Sequence, residues 1–173
     1  MAKKVSLSNE HLEIDEIAEY KNDLLSSIVF YYENATNFDK FKLYTNNEIK
    51  NEKKKRLLEL ELNCIFMVLS SIESLIRIDY ETRVRNKQKN SLARDLRELD
   101  KNYDKTYKIP INTICDIYKN NSQGELFSFI KSIFKLRHWL AHGRYWTPKI
   151  GRKYDFDDIY NIAYELNNLL KNY

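Results

Sequence analysis

The sequence predicts an all-α fold, an up-and-down helical bundle of four to five main helices with one short extra helix. Three observations carry this. Apolar residues return at helical spacing over several long segments. The chain has only three glycines and two prolines, too few for a turn-rich sandwich or barrel. With 43% hydrophobic and 31% charged residues, its 173 residues can bury a core without disulfides or a structural metal. A single domain over 1–173 is expected, with a polar lead-in over 1–8.

Each helix has its own signature. Ser8 is a plausible N-cap for a first helix reaching about Asn34, with Leu12, Ile14, Ile17, Leu24, Leu25, Ile28 and Tyr31 as its apolar positions. Residues 34–47 read as a loop anchored by Phe38, Phe41 and Tyr44. A long helix from about Glu48 to Arg85 starts charged and becomes apolar on most sides from Leu57 to Ile78, which places it centrally. Arg83, Arg85, Lys87 and Lys89 give it a basic exit. Ser91 to about Tyr103 forms a short amphipathic helix through Leu92, Leu96 and Leu99. Ile109-Pro110 interrupts the chain, and a short helix over Asn112–Tyr118 follows. Residues 120–124 form a turn. The next helix spans Glu125–His142, with Gly143 placed for a left-handed C-terminal cap. Asp155 caps a last helix reaching Leu170.

The net charge of +4 permits an anionic partner without requiring one. Cys64 and Cys115 stand apart in apolar surroundings, outside any CxxC pair, as small buried hydrophobes would. A reducing cytoplasm is expected. The opening Met-Ala-Lys-Lys lacks the apolar run of a secretory signal, and no window reaches the length of a membrane span. No Gly-rich phosphate loop, G-x-S-x-G elbow or paired metal carboxylates appear, so no cofactor and no metal are expected.

Chemistry concentrates in Arg137-His138-Trp139-Leu140-Ala141-His142. A guanidinium grips phosphate with a forked set of donors, and an imidazole exchanges protons near neutral pH. Five residues of helix turn through about 140°, so Arg137 and His142 do not share a face. His138 and His142, four apart, do. Three readings are open from these residues. They form a phosphodiester-cleaving set; or they are cations placed favourably at a helix C-terminus, with Trp139 in the core; or the two imidazoles begin a zinc site, for which no third ligand is evident.

The pattern Leu136-Arg137-His138-Trp139-Leu140-Ala141-His142-Gly143, an Arg-x4-His at the end of a bundle helix, resembles the motif of HEPN domains (higher eukaryotes and prokaryotes nucleotide-binding), in its prokaryotic form. Ser70-Ser71-Ile72-Glu73-Ser74-Leu75-Ile76-Arg77-Ile78-Asp79-Tyr80 resembles the segment that packs against the motif helix in that family. The resemblance implies a HEPN-type bundle and a metal-independent RNA endonuclease with a composite site across a homodimer. Arg137 and His142 would be catalytic, and His138 and Glu73 supporting. It also implies a toxin or phage-defence effector, restrained by an antitoxin protein or a regulatory RNA. Members paired with a nucleotidyltransferase carry Tyr two residues after the His; this chain has Arg144 there, with Tyr145 one later.

Glu73 lies in an apolar stretch and is expected either to orient Arg137 or a histidine, or to bridge to Arg77 four residues on. Arg144, Tyr145 and Trp146 set a cation beside two aromatics, which suits a phosphate and a stacked base, or a hydrophobic latch over the last helix. Lys149 adds charge at the same end, and the run Lys53–Arg56 reads as a solvated helix face.

Overall fold

Six α-helices, with no strand among the described residues, build the molecule. The computed structural model describes residues 7, 10–121, 124–149, 151 and 153–171, apart from the side chain of Thr106. The helices are α1 (Ile14–Glu33), α2 (Asn46–Arg85), α3 (Ser91–Lys101), α4 (Ile111–Asn121), α5 (Gly124–Ala141) and α6 (Phe156–Lys171).

Helix α1 begins later than its periodicity suggests. Ser8 lies outside the described residues, and Leu12 sits ahead of the helix, 47% exposed. The start is set at Glu13, whose backbone N–H donates to the Glu16 carboxylate at 3.1 Å. Helix α2 opens on a reciprocal capping box. Thr45 N–H donates to Glu48 Oε2 at 2.7 Å, and Glu48 N–H donates to Thr45 Oγ1 at 3.3 Å. These bonds from Thr45 hold the Glu48 carboxyl below its usual range. Between α1 and α2, short 3₁₀ turns at Ala35–Asn37 and Asp39–Phe41 fold Phe41 onto Tyr32 and Ala35, a satellite cluster outside the main core.

Helix α2 is the spine. Its 40 residues run about 60 Å. Leu60, Cys64, Ile65, Val68, Leu69, Ile72, Ile76 and Tyr80 are buried, and the other five helices all pack against it. Lys53 pairs with Glu33 at 3.4 Å and Lys21 with Glu61 at 3.5 Å, so α1 runs antiparallel to α2. Helices α4 and α5 form a second antiparallel pair, tied by Lys131 and Asp116. None of residues 46–59 is buried, so this first part of α2 projects with the end of α1 as a two-helix arm. No helix among the described residues is long and apolar enough to cross a membrane.

Of the basic residues at the end of α2, Arg85, Lys87 and Lys89 are exposed, but Arg83 turns inward. Arg83 is 1% exposed. Its Nε donates to Asp79 Oδ2 at 2.5 Å, and its Nη1 donates to Gln88 Oε1 at 3.1 Å. Tyr118 of α4 donates its hydroxyl to the same Asp79 oxygen at 2.5 Å and stacks on Phe127 of α5. Tyr80 donates to Asp100 of α3 at 2.9 Å. These bonds make a buried polar joint between α2, α3 and α4.

Asp79→Ala strands a buried guanidinium, so denaturant unfolding should show a loss of about 3–5 kcal/mol. Burial pushes the Cys115 thiol from 9.0 up to about 12. Burial, then the bond to Asp100, raises Tyr80; burial, then the Asp79 charge, raises Tyr118. All three are neutral when protonated and titrate higher in the folded chain than in the unfolded one. Their contribution is therefore intact below about pH 9 and falls as pH rises. Denaturant midpoints should drop between about pH 9 and about pH 12, and Cys115 should resist alkylation until the chain unfolds.

Candidate functional site

Helix α5 has two faces with different work. Leu126, Phe127, Ile130, Ile133, Phe134 and Leu136 are buried in the bundle. Ser128, Lys131, Ser132, Lys135 and His138 recur at helical spacing on a more exposed face, and His142 continues that line. The helix ends in a Schellman motif. Arg144 N–H donates to Trp139 O at 3.1 Å, and Gly143 N–H approaches Leu140 O at 3.5 Å. Gly143 takes φ +79°, the left-handed cap its position predicts, and His142 becomes the C-cap.

Arg144 follows in the same left-handed region, at φ +59°, which is uncommon without glycine. Its guanidinium holds Glu59 of α2 in a two-pronged pair at 3.0 and 2.8 Å. That bond keeps the Glu59 carboxyl below its usual range. The chain then doubles back. Trp139 Nε1–H donates to the Trp146 carbonyl at 2.7 Å, which lays the Trp146 ring beside the histidines, 5.7 Å from His138 and 6.5 Å from His142 between centroids. The His138 and His142 rings are 4.2 Å apart. Tyr145 is 83% exposed and meets Trp146 edge-on.

Glu73 of α2 takes both positions that its sequence context leaves open. Oε1 accepts from Arg77 Nε at 2.8 Å, and Arg77 Nη1 donates onward to Ile109 O at 3.3 Å. Oε2 lies 2.8 Å from Arg137 Nη2, off the axis of a directed hydrogen bond. One carboxylate thus stands between two guanidiniums on different helices. The surrounding serines do something else: Ser71 donates to Leu12 O at 3.0 Å, and Ser70 and Ser74 donate to carbonyls one turn back along α2.

A groove of about 960 Å³ runs along α5. Its walls are α5, the start of α4 at Ile111 and Asn112, and the returning segment Trp146–Lys149. Lys131, Lys135, Arg137, His138, Trp146 and Lys149 all line it. Arg137 and His138 therefore share this groove. His142 lies one helical turn beyond its lining, exposed and against the His138 ring. Arg144 is directed to α2, away from the Trp146 face. Among the described residues no third ligand joins the two imidazoles in a metal-holding cluster.

Reading the sequence missed Glu59, Lys131 and Lys135. The two lysines had a signal, since they fall at the polar spacing that leads to His138. Glu59 had none, because its partner is 85 residues away. No family model, no curated protein and no solved structure matches the chain.

Glu59→Gln should release the returning segment without unfolding the bundle. The pair is solvent-exposed, so the stability loss should not exceed about 1 kcal/mol. Amide exchange over residues 144–149 should rise clearly while the melting temperature stays nearly fixed.

Proposed function

We propose that the chain is a HEPN-type, metal-independent RNA endonuclease that works as a cytoplasmic homodimer, in the role of a toxin or phage-defence effector. The observation that carries this reading is the end of α5. Arg137, held by Glu73, and His138 line a groove rich in cations, and the exposed His142 stands against His138 one turn beyond it. The Arg137 side chain stays partly exposed, as a phosphate-holding group must.

In the proposed reaction His142 takes the proton of a ribose 2′-hydroxyl. The freed oxygen attacks the adjacent phosphorus, a new P–O2′ bond forms, and the P–O5′ bond breaks. The departing 5′-oxygen receives a proton from His142 of the partner subunit. Arg137 offsets the charge that builds on the phosphorane oxygens. The products are a 2′,3′-cyclic phosphate and a 5′-hydroxyl, and the reaction needs the 2′-hydroxyl that DNA lacks. Two-fold symmetry supplies the second imidazole, and the exposure of His142 leaves it accessible to a second copy. His138 supports the site by packing its ring, tilted, against that of His142. An antitoxin protein or a regulatory RNA is the restraint this role calls for.

A second reading is a helical module that binds RNA without cutting it. It is favoured by the position of His142, outside the groove of its own chain. One experiment separates the two. Purified dimer in EDTA should cut RNA, leave DNA of the same sequence whole, and lose activity by about 100-fold or more in Arg137→Ala and in His142→Ala with the fold intact. RNA that is bound but never cut would install the binding module instead.

A further inference from the structure

The cations of the groove are not equivalent. Arg137 is committed to Glu73, and Lys131 is committed to Asp116. Lys135 and Lys149 have no ion pair among the described residues, and they reach the same groove from two different elements, α5 and the returning segment. Two uncompensated ammonium groups in one groove repel each other, an arrangement that an anion would relieve. The hydroxyls beside them are of another kind. Ser128 donates to Gly124 O and Ser132 to Phe129 O, both at 2.7 Å, so their hydrogens are spent. What they offer the groove is lone pairs, which suit a hydroxyl or amino donor and repel phosphate oxygen. Trp146 completes the set with an indole face at the histidine end.

From these residues we infer that the groove is a binding track for single-stranded RNA, running from the Arg137–His138 end along α5 toward Ser128. The inference rests on the nuclease reading for its choice of polymer and deepens it by naming the substrate form. Lys135 and Lys149 hold a backbone phosphate between them. Ser128 and Ser132 accept from ribose 2′-hydroxyls, the group that separates RNA from DNA. Trp146 stacks a base, which must be free of a duplex to lie on the ring. The polar face from Ser128 to His138 spans about 15 Å of helix, enough for more than one scissile link. The track follows from charge, hydroxyl polarity and an aromatic face gathered on one side of one helix.

The test uses the full chain carrying His142→Ala, so that bound RNA stays whole, with fluorescence anisotropy of a short labelled oligouridylate at several salt concentrations. Lys135→Ala and Lys149→Ala should each weaken binding and flatten the plot of log affinity against log salt by about 0.7. Lys54→Ala, on the exposed face of the arm, should do neither. Trp146→Ala should weaken binding about tenfold with the salt slope unchanged, and Trp146→Phe should restore most of it. That substitution spares the Trp146 carbonyl that Trp139 uses. Single-stranded DNA and an RNA duplex should bind more weakly than the single-stranded RNA. Lysine variants that bind like their parent, a Lys54→Ala effect of equal size, duplex or DNA binding as tight, or full competition by an acidic peptide would each overturn the track. The two readings fail separately. If the unmodified chain cuts RNA while the groove variants bind normally, the nuclease stands and the track falls. If the groove variants lose affinity but the unmodified chain never cuts, the track stands and the nuclease falls.

Discussion

A half-buried carboxylate in an apolar helix must find positive charge or be removed, and at Glu73 it finds two. Arg77 takes one oxygen from within α2 and passes a further hydrogen bond to the Ile109 carbonyl, just ahead of α4. Arg137 approaches the other oxygen from α5. This one group therefore fixes the spacing of three parts of the chain that sequence alone does not connect. It also orients the guanidinium on which the proposed chemistry depends. A hydrophobic residue at this position could pack α2 against α5 equally well, but it would leave Arg137 free to turn away.

The distribution of polarity within the bundle has a consistent physical logic. At the buried Arg83 and its partner Asp79, each charged group is bonded from more than one direction, and the pair joins helices. Where charge lines the groove, at Lys135 and Lys149, no compensating carboxylate is present among the described residues. The first arrangement stabilises a fold, and the second favours occupancy by an anion. Three tyrosines show the same contrast. Tyr80 and Tyr118 are buried with their hydroxyls bonded to carboxylates, whereas Tyr145 presents its ring to solvent.

The helices were legible because burial imposes a period that composition alone does not mimic. The stretch Leu57 to Ile78 announced the central place of its helix, and Gly143 announced the left-handed cap. The start of α1 was less legible. Serine is the more usual cap, and Ser8 drew attention from Glu13, whose partner Glu16 supplies the needed acceptor. Arg83 looked like a surface cation because a list of basic residues carries no information about which way each one turns. The site was legible where its members are close in sequence, as in Arg137, His138, His142 and Trp146. It was hidden where a partner comes from another helix, as Glu59 does for Arg144.

Glu59 and Glu73 lie on the same helix, and together they moor both sides of the Schellman turn: one the arginine before it, the other the arginine after it. Fourteen residues of helix bring the axis back to within about 40° of its starting direction, so both carboxylates leave α2 on nearly one side. Helix α2 thereby serves as a ruler for the turn. Adding or deleting a single residue between the two would swing one of them by about 100°, and no local adjustment could reconnect both moorings. This stretch of the chain should accept substitution far more readily than any change of length.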